Sequence, residues 1–119
     1  WSPVADSLEA VWGIPSSVQL AIAYHESGGG RSALARISNN HFGIQGKNTK
    51  VKSKYASYET AKDSYVAFCK LISRKSFYPK LKGTTEARSW VKAIHATGYA
   101  GNSTSWVGHV MSIIIKNNL

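Results

Sequence analysis

The sequence predicts a mainly α-helical domain that spans residues 1–119. Apolar residues recur at intervals of three and four in several segments, which is the spacing of one face of a helix. Glycine, proline or hydroxyl residues lie where these segments would begin or end. Only one stretch, residues 45–55, has a composition that suits strands, and no repeat or linker divides the chain.

The first two helices are predicted in the N-terminal quarter. One begins at Ser2 and ends before Gly13, with apolar residues on one side. The next begins at Pro15, which favours the first turn of a helix, and ends at the three glycines 28–30. Because residues 18–24 form a nearly unbroken apolar run, we expect this helix to be buried on most sides.

The rest of the chain contains a polar insert and further helices. A short helix is expected near residues 33–37. Residues 45–55 are mostly polar and contain four lysines, so they suit an exposed β-hairpin or a mobile loop. The later boundaries are predicted from capping residues. Ser57 is expected to cap a helix, and Tyr78 and Pro79 to end the segment that follows it. Thr84 or Thr85 opens another helix, with Glu86 in its first turn and Gly98 as its stop, and a last helix begins near Ser105.

The charge of the chain indicates an anionic partner. Fifteen Lys and Arg residues against six Asp and Glu residues give a formal net charge of +9. Nucleic acid, anionic lipid and an acidic cell-wall polymer all fit this charge. No nucleic-acid-binding motif is present, so nucleic acid is not expected. No apolar run is long enough for a transmembrane segment, and the first residues lack the features of a signal peptide.

The cysteine and histidine content argues against disulfides and metals. A single cysteine, Cys69, excludes an internal disulfide and is expected to be a small core residue. The four histidines have no spacing typical of metal ligands, so we expect no metal and no cofactor. His25 and His41 are expected to be structural or exposed.

Glu26 is the main candidate for chemistry. It lies in the last turn of the second helix, where the negative end of the helix dipole and a scarcity of water both favour the protonated carboxyl. A glutamic acid that keeps its proton can act as a general acid in glycosidic cleavage. An ordinary solvated glutamate is the alternative, but the glycines 28–30 would leave space for a ligand beside it.

Three blocks of sequence resemble a known enzyme family. They are GIPSSVQLAIAYHESGGGRSALA, NNHFGIQGK and TGYAGNSTSW, and they are similar in order and spacing to the bacterial N-acetylglucosaminidases of glycoside hydrolase family 73. The resemblance implies a lysozyme-like fold, in which a small hairpin or loop lobe faces a helical lobe, with Glu26 as the catalytic acid. It also implies peptidoglycan as substrate, action as a secreted, wall-associated or periplasmic monomer, and possible contact with anionic wall polymers.

The same resemblance assigns four further site residues. Tyr99 matches a tyrosine of the catalytic centre and is expected to position the substrate or stabilise the reacting centre. Asn40 and Phe42 match the cleft wall, where an amide can bond to a sugar and an aromatic face can stack on it. Trp106 stands near a tyrosine position of the family and is expected to contact substrate, although Gly101 and Asn102 replace the family's Thr-Asp pair.

One departure from the family concerns the second catalytic group. Family members often carry another acid in the small lobe, whereas this chain has no Asp or Glu between Ser27 and Tyr58. Glu59 and Asp63 are the nearest acids and suit a capping or surface role. We therefore expect assistance from the substrate's own 2-acetamido group. A lytic transglycosylase or muramidase and a non-catalytic basic wall-binding module are the alternatives.

Overall fold

The structure is a computed structural model and describes residues 1–99, 101 and 104–119. Ala100, Asn102 and Ser103 lie outside the described residues, and Asn102 is one of the two residues that replace the family's Thr-Asp pair. The described part of the chain is mainly helical, as the sequence predicts. Its helices are α1 (Ser2–Trp12), α2 (Ser16–Ser27), α3 (Ala33–Ser38), α4 (Ala61–Ser73), α5 (Tyr78–Leu81), α6 (Ala87–Ala96) and α7 (Trp106–Lys116).

Glycine ends the first two helices because the chain there takes a left-handed conformation. Gly13 follows α1 with a φ of 70°, and Gly28 follows α2 with a φ of 59°. Residues other than glycine rarely adopt this backbone conformation, so the two glycines end the helices at the predicted positions. Pro15 is the residue that caps α2 at its start, one position before the first turn.

Three helix boundaries differ from the predictions. Thr60, and not Ser57, caps α4: its hydroxyl accepts from the Asp63 amide, and the Asp63 carboxylate accepts from the Thr60 amide. Tyr78 and Pro79 form the first turn of the short helix α5 instead of ending a segment, because proline fits the first turn of a helix. Glu86 lies outside α6 and caps it through the Ser89 amide.

The core forms around α2, which packs against α1, α6 and α7. This confirms a helix buried on most sides, although Tyr24 on its outer side is 56% exposed. Cys69 on α4 is fully buried, and burial raises the pKa of its thiol to about 12, so it is a neutral core side chain. The largest side chains with almost no exposure are Trp90, Tyr65, Phe42, Phe68, Ile14 and Ile22.

The segment between α3 and α4 forms a small lobe, residues 39–60, that stands beside the helices. Gln45 and Tyr55 form an isolated antiparallel bridge, and the Ala56 amide donates to the Ile44 carbonyl at 2.8 Å. The predicted hairpin is therefore reduced to one pair of residues, and side-chain hydrogen bonds hold the rest of the lobe. The lobe and the C-terminal end of α2 face each other across a cleft.

Candidate active site

A cleft of about 490 Å³ lies between the end of α2, the start of α7 and the small lobe. This volume is in the range of ligand sites in proteins. Glu26 is half-buried and is the single Asp or Glu among the described residues that line the cleft. The lining residues are His25, Glu26, Ser32, Leu34, Phe42, Gly43, Gln45, Tyr55, Tyr99 and Trp106.

Trp106 contacts the carboxyl of Glu26. The indole Nε1–H donates a hydrogen bond to Glu26 Oε1 at 3.1 Å, although 80 residues separate the two in sequence. Trp106 is 2% exposed and is the first residue of α7. It lines the cleft, as a substrate-contacting residue would, but the structure also gives it a direct contact with the acid that the sequence did not predict.

Tyr99 lines the same cleft, and its hydroxyl proton is already used in a hydrogen bond within the protein. The phenol donates to the Phe42 carbonyl at 2.6 Å. Burial, reinforced by the negative charge of Glu26 and by Tyr58, raises the pKa of Tyr99 well above its usual value. The phenol therefore keeps its proton and directs it away from a ligand, which leaves the oxygen lone pairs as acceptors.

Asn40 is buried beside the cleft and is not among the described residues that line it, so the structure does not bring its side chain to the place where a sugar is expected. It is 1% exposed, and its amide nitrogen donates to the carbonyls of Ile44 and Ala56 at 2.8 and 3.0 Å. Its amide oxygen accepts from the amides of Phe42 and Ile44, both at 3.2 Å. All the hydrogen-bonding capacity of the side chain is therefore used to shape the lobe.

Phe42 lines the cleft but presents little of its surface there, so a sugar would find little of its ring to stack on. The residue is 1% exposed. Its ring stacks on Phe68 at 4.4 Å between centroids and meets Tyr65 edge-on at 4.8 Å. Both contacts belong to the core, and the carbonyl that holds Tyr99 is the contribution of Phe42 to the site.

The three glycines after Glu26 do not line its cleft either. Gly28, Gly29 and Gly30 all have positive φ values, between 59° and 82°, so the chain reversal requires them. Gly29 and Gly30 border a separate apolar groove on another face, beside Trp1, Tyr24 and the buried His41. Their role is to turn the backbone, whereas Gly43, with nothing near its missing side chain, borders the cleft itself.

Several cleft residues were missed by sequence reasoning. Gln45 and Tyr55 meet there because the β-bridge pairs them, and Lys54 Nζ lies 5.3 Å from the centre of the Tyr55 ring. His25 borders the cleft next to Glu26, which the expectation of a structural or exposed residue did not include. The sequence predicts a hairpin or loop over residues 45–55 but not which of its side chains face Glu26, so Gln45 and Tyr55 could be identified only from the fold.

Other kinds of site were sought within residues 1–99, 101 and 104–119. No group of three or more His, Cys, Asp or Glu side chains there could hold a metal ion. In the same residues, none of the helices has the length and apolar character that crossing a bilayer requires.

A mainly helical fold whose cleft has a single carboxyl among its described lining residues suits the class of glycoside hydrolases. A family model described as mannosyl-glycoprotein endo-beta-N-acetylglucosaminidase matches residues 2–119, and the chain belongs to this glucosaminidase family. The resemblance inferred from the three sequence blocks is thereby confirmed. A comparison with curated protein sequences gives no significant match.

Solved structures with the same fold come from several bacteria. The glycoside hydrolase domain of Salmonella typhimurium FlgJ has a TM-score of 0.78 at 23% identity, with 98% of this chain and 83% of that chain covered. The catalytic domain of the Listeria monocytogenes autolysin Auto has a TM-score of 0.78 at 24% identity, with 98% of this chain and 80% of that chain covered. A chain of a type VI secretion system effector–immunity complex from Pseudomonas protegens has a TM-score of 0.74 at 22% identity, with 96% of this chain and 83% of that chain covered. These similarities confirm the lysozyme-like fold.

Proposed function

We propose that this protein hydrolyses the β-1,4 bond between N-acetylglucosamine and N-acetylmuramic acid in peptidoglycan, with Glu26 as the general acid. The observation that carries the proposal is the position of Glu26 as the single Asp or Glu among the described cleft residues. The family membership and the similarity to the FlgJ glycoside hydrolase domain and to the autolysin Auto favour a wall glycan as substrate. Such an enzyme acts outside the cytoplasmic membrane, at the cell wall.

The substrate's own 2-acetamido group is proposed as the second participant. Two-carboxylate enzymes hold their acids about 5–5.5 Å apart when they retain configuration and about 6.5–9.5 Å apart when they invert it. Asp63 is engaged in the cap of α4, and Glu59 is exposed and does not line the cleft. With neither acid available at the cleft, the acetamido carbonyl of the substrate would be the nucleophile.

The proposed reaction has two steps. Glu26 gives its proton to the glycosidic oxygen, which keeps the electron pair of the breaking bond, while the acetamido carbonyl oxygen bonds to C1. Water then attacks C1, the bond to the acetamido oxygen breaks, and the Glu26 carboxylate accepts a proton from that water. The product keeps the β configuration, because C1 is inverted twice.

Analysis of the digestion products tests this function. Purified sacculi are incubated with the protein, and the soluble fragments are analysed by mass spectrometry and by NMR of the anomeric proton. We expect fragments with N-acetylglucosamine at the reducing end and initial β configuration. Anhydro sugars would identify a lytic transglycosylase, and reducing N-acetylmuramic acid a muramidase. Inversion would overturn the assistance by the acetamido group.

Tyr99→Phe is expected to lower kcat about fivefold, since one neutral hydrogen bond contributes about 1 kcal/mol. The phenol donates its proton to the Phe42 carbonyl. Its oxygen would therefore accept a hydrogen bond from the acetamido N–H and so orient the acetamido carbonyl towards C1. The measurement is kcat on chitooligosaccharides that are either fully acetylated or partly deacetylated.

The matched control for this change is Tyr24→Phe, because Tyr24 is 56% exposed and borders the other groove. It should leave kcat unchanged. If Tyr99→Phe cleaves the acetylated substrate at the normal rate, Tyr99 does not hold the acetamido group.

The alternative of a non-catalytic basic module is tested by measuring binding to sacculi at several salt concentrations. Lys47 and Lys52 are exposed on the small lobe, which borders the cleft through Gln45 and Tyr55. In a Glu26→Gln background, which prevents digestion, replacing both with Gln should weaken binding to sacculi several-fold at low ionic strength. The difference should disappear near 0.5 M salt, where the Debye length is below about 5 Å.

The charge-matched control replaces Lys70 and Lys80, which are exposed on α4 and α5. It changes the net charge equally and should weaken binding much less. A binding module would release no soluble fragments from sacculi at any salt concentration, and that result would favour the module over the enzyme.

A further inference from the structure

The hydrogen bond between Trp106 and Glu26 is directional. The indole Nε1–H can only donate, so Glu26 Oε1 must be the acceptor in both ionisation states of the carboxyl. In the neutral acid, the other oxygen then carries the proton, since a proton on the accepting oxygen would compete with the indole for its lone pairs. The contact therefore selects which oxygen of Glu26 is the acid.

Side chains from three parts of the fold hold the indole in this orientation. His95 on α6 stacks on it, with 5.8 Å between centroids and 16° between planes. His25 on α2 meets it edge-on at 6.4 Å, and Tyr99 lies 5.9 Å away at a tilt of 50°. With the ring 2% exposed, the indole cannot turn without disturbing all three neighbours.

We propose that Trp106 is a positioning residue that fixes the proton of Glu26 on Oε2 and stabilises the carboxylate formed when that proton leaves. This inference rests on the proposed function, in which Glu26 is the general acid. When the proton passes from Oε2 to the glycosidic oxygen, negative charge develops on the carboxylate. The indole bond at Oε1 then becomes charge-assisted and roughly twice as strong, so it favours the transition state over the bound substrate.

Other ionisable groups lie near this pair. His25 and His95 contact the indole, and His109 on α7 is 5.8 Å from His25 between ring centroids. On the cleft side, Tyr99 and Tyr55 are the other titratable groups that line it. In the proposed mechanism the general acid must carry its proton, so its ionisation sets the alkaline limb of the activity profile.

The test compares Trp106→Phe with Trp90→Phe. Phenylalanine keeps an aromatic ring at position 106 and removes the donor. We expect kcat to fall about ten- to a hundredfold, because a hydrogen bond to a charged group is lost, while KM changes little. We also expect the alkaline limb of the activity profile to move to higher pH, since the carboxylate loses its donor.

Trp90 is the matched control because it is also buried and its indole donates to the Thr84 carbonyl, away from the cleft. Trp90→Phe should lower the melting temperature and leave kcat and the pH profile unchanged. A purely structural Trp106 would behave like Trp90, and that result would overturn the inference. If Glu26→Gln stays active, the proposed function fails as well, so the two failures are distinguishable.

A second measurement needs no Trp106 variant. In protein labelled with ¹⁵N-tryptophan, four indole N–H signals are expected, one for each tryptophan. The Trp106 signal should titrate with a midpoint that matches the alkaline limb of activity. This titration should vanish in Glu26→Gln and persist in His95→Asn. The inference would be overturned if the titration of the Trp106 signal were unchanged in Glu26→Gln, or if it were lost only in His95→Asn. This holds even if Trp106→Phe does not fold.

Discussion

Glu26→Gln is expected to lower the rate of sacculus digestion by about 10²- to 10⁴-fold, the usual contribution of a general acid. The amide cannot give a proton to the leaving oxygen. It keeps an oxygen that can accept from the Trp106 indole, so the fold and the cleft should be preserved. The measurement is the initial rate of reducing-end release, together with a thermal melt that verifies the fold.

Glu59→Gln is the control for this result. Glu59 is exposed and stands outside the cleft, so its replacement should leave the rate within about twofold of the original. Near-normal digestion by Glu26→Gln would refute the acid assignment. An equal loss in Glu59→Gln would instead indicate a mechanism with two carboxylates.

Asn40→Ala is expected to lower the free energy of unfolding by about 3 kcal/mol or more. The change removes four hydrogen bonds, and it leaves the Phe42 amide and the Ala56 carbonyl without these partners inside the lobe. Each buried polar group left unsatisfied costs about 1–3 kcal/mol. Denaturant unfolding measures the loss. Digestion should fall too, because the lobe carries Gln45 and Tyr55 to the cleft.

Asn117→Ala is a suitable comparison, since Asn117 is exposed and makes one side-chain hydrogen bond, to the Ile113 carbonyl. It should change stability by no more than about 0.5 kcal/mol. If Asn40→Ala were as stable as Asn117→Ala and yet inactive, the earlier expectation of a sugar contact would be restored.

Most of the helical frame could be predicted from sequence because its signals are local. Gly13 and Gly28 stop their helices where positive φ is required, and the apolar run of α2 is buried as its composition indicates. The missed starts have a local cause as well. Ser57 and Thr60 are both good caps, and only the reciprocal bonds between Thr60 and Asp63 decide between them.

The candidate site was less predictable because it depends on which way loop residues face. Glu26 and Tyr99, separated by 73 positions, do line one cleft. The sequence could not tell that Asn40 and Phe42 turn inward, since an amide that binds backbone and one that binds a sugar have the same local pattern. Nor could it predict the contact between Trp106 and Glu26, which arises where α7 begins beside the end of α2.

The bonds that Asn40 makes with the lobe have a consequence for the thermodynamics of binding. The wall of the groove is preorganised by the polypeptide, so the entropy lost in ordering it belongs to folding and not to association with the glycan. Under the proposed function, interaction energy from the flanking sugars is then available to distort the ring at the scissile linkage towards the geometry of its oxocarbenium-like state.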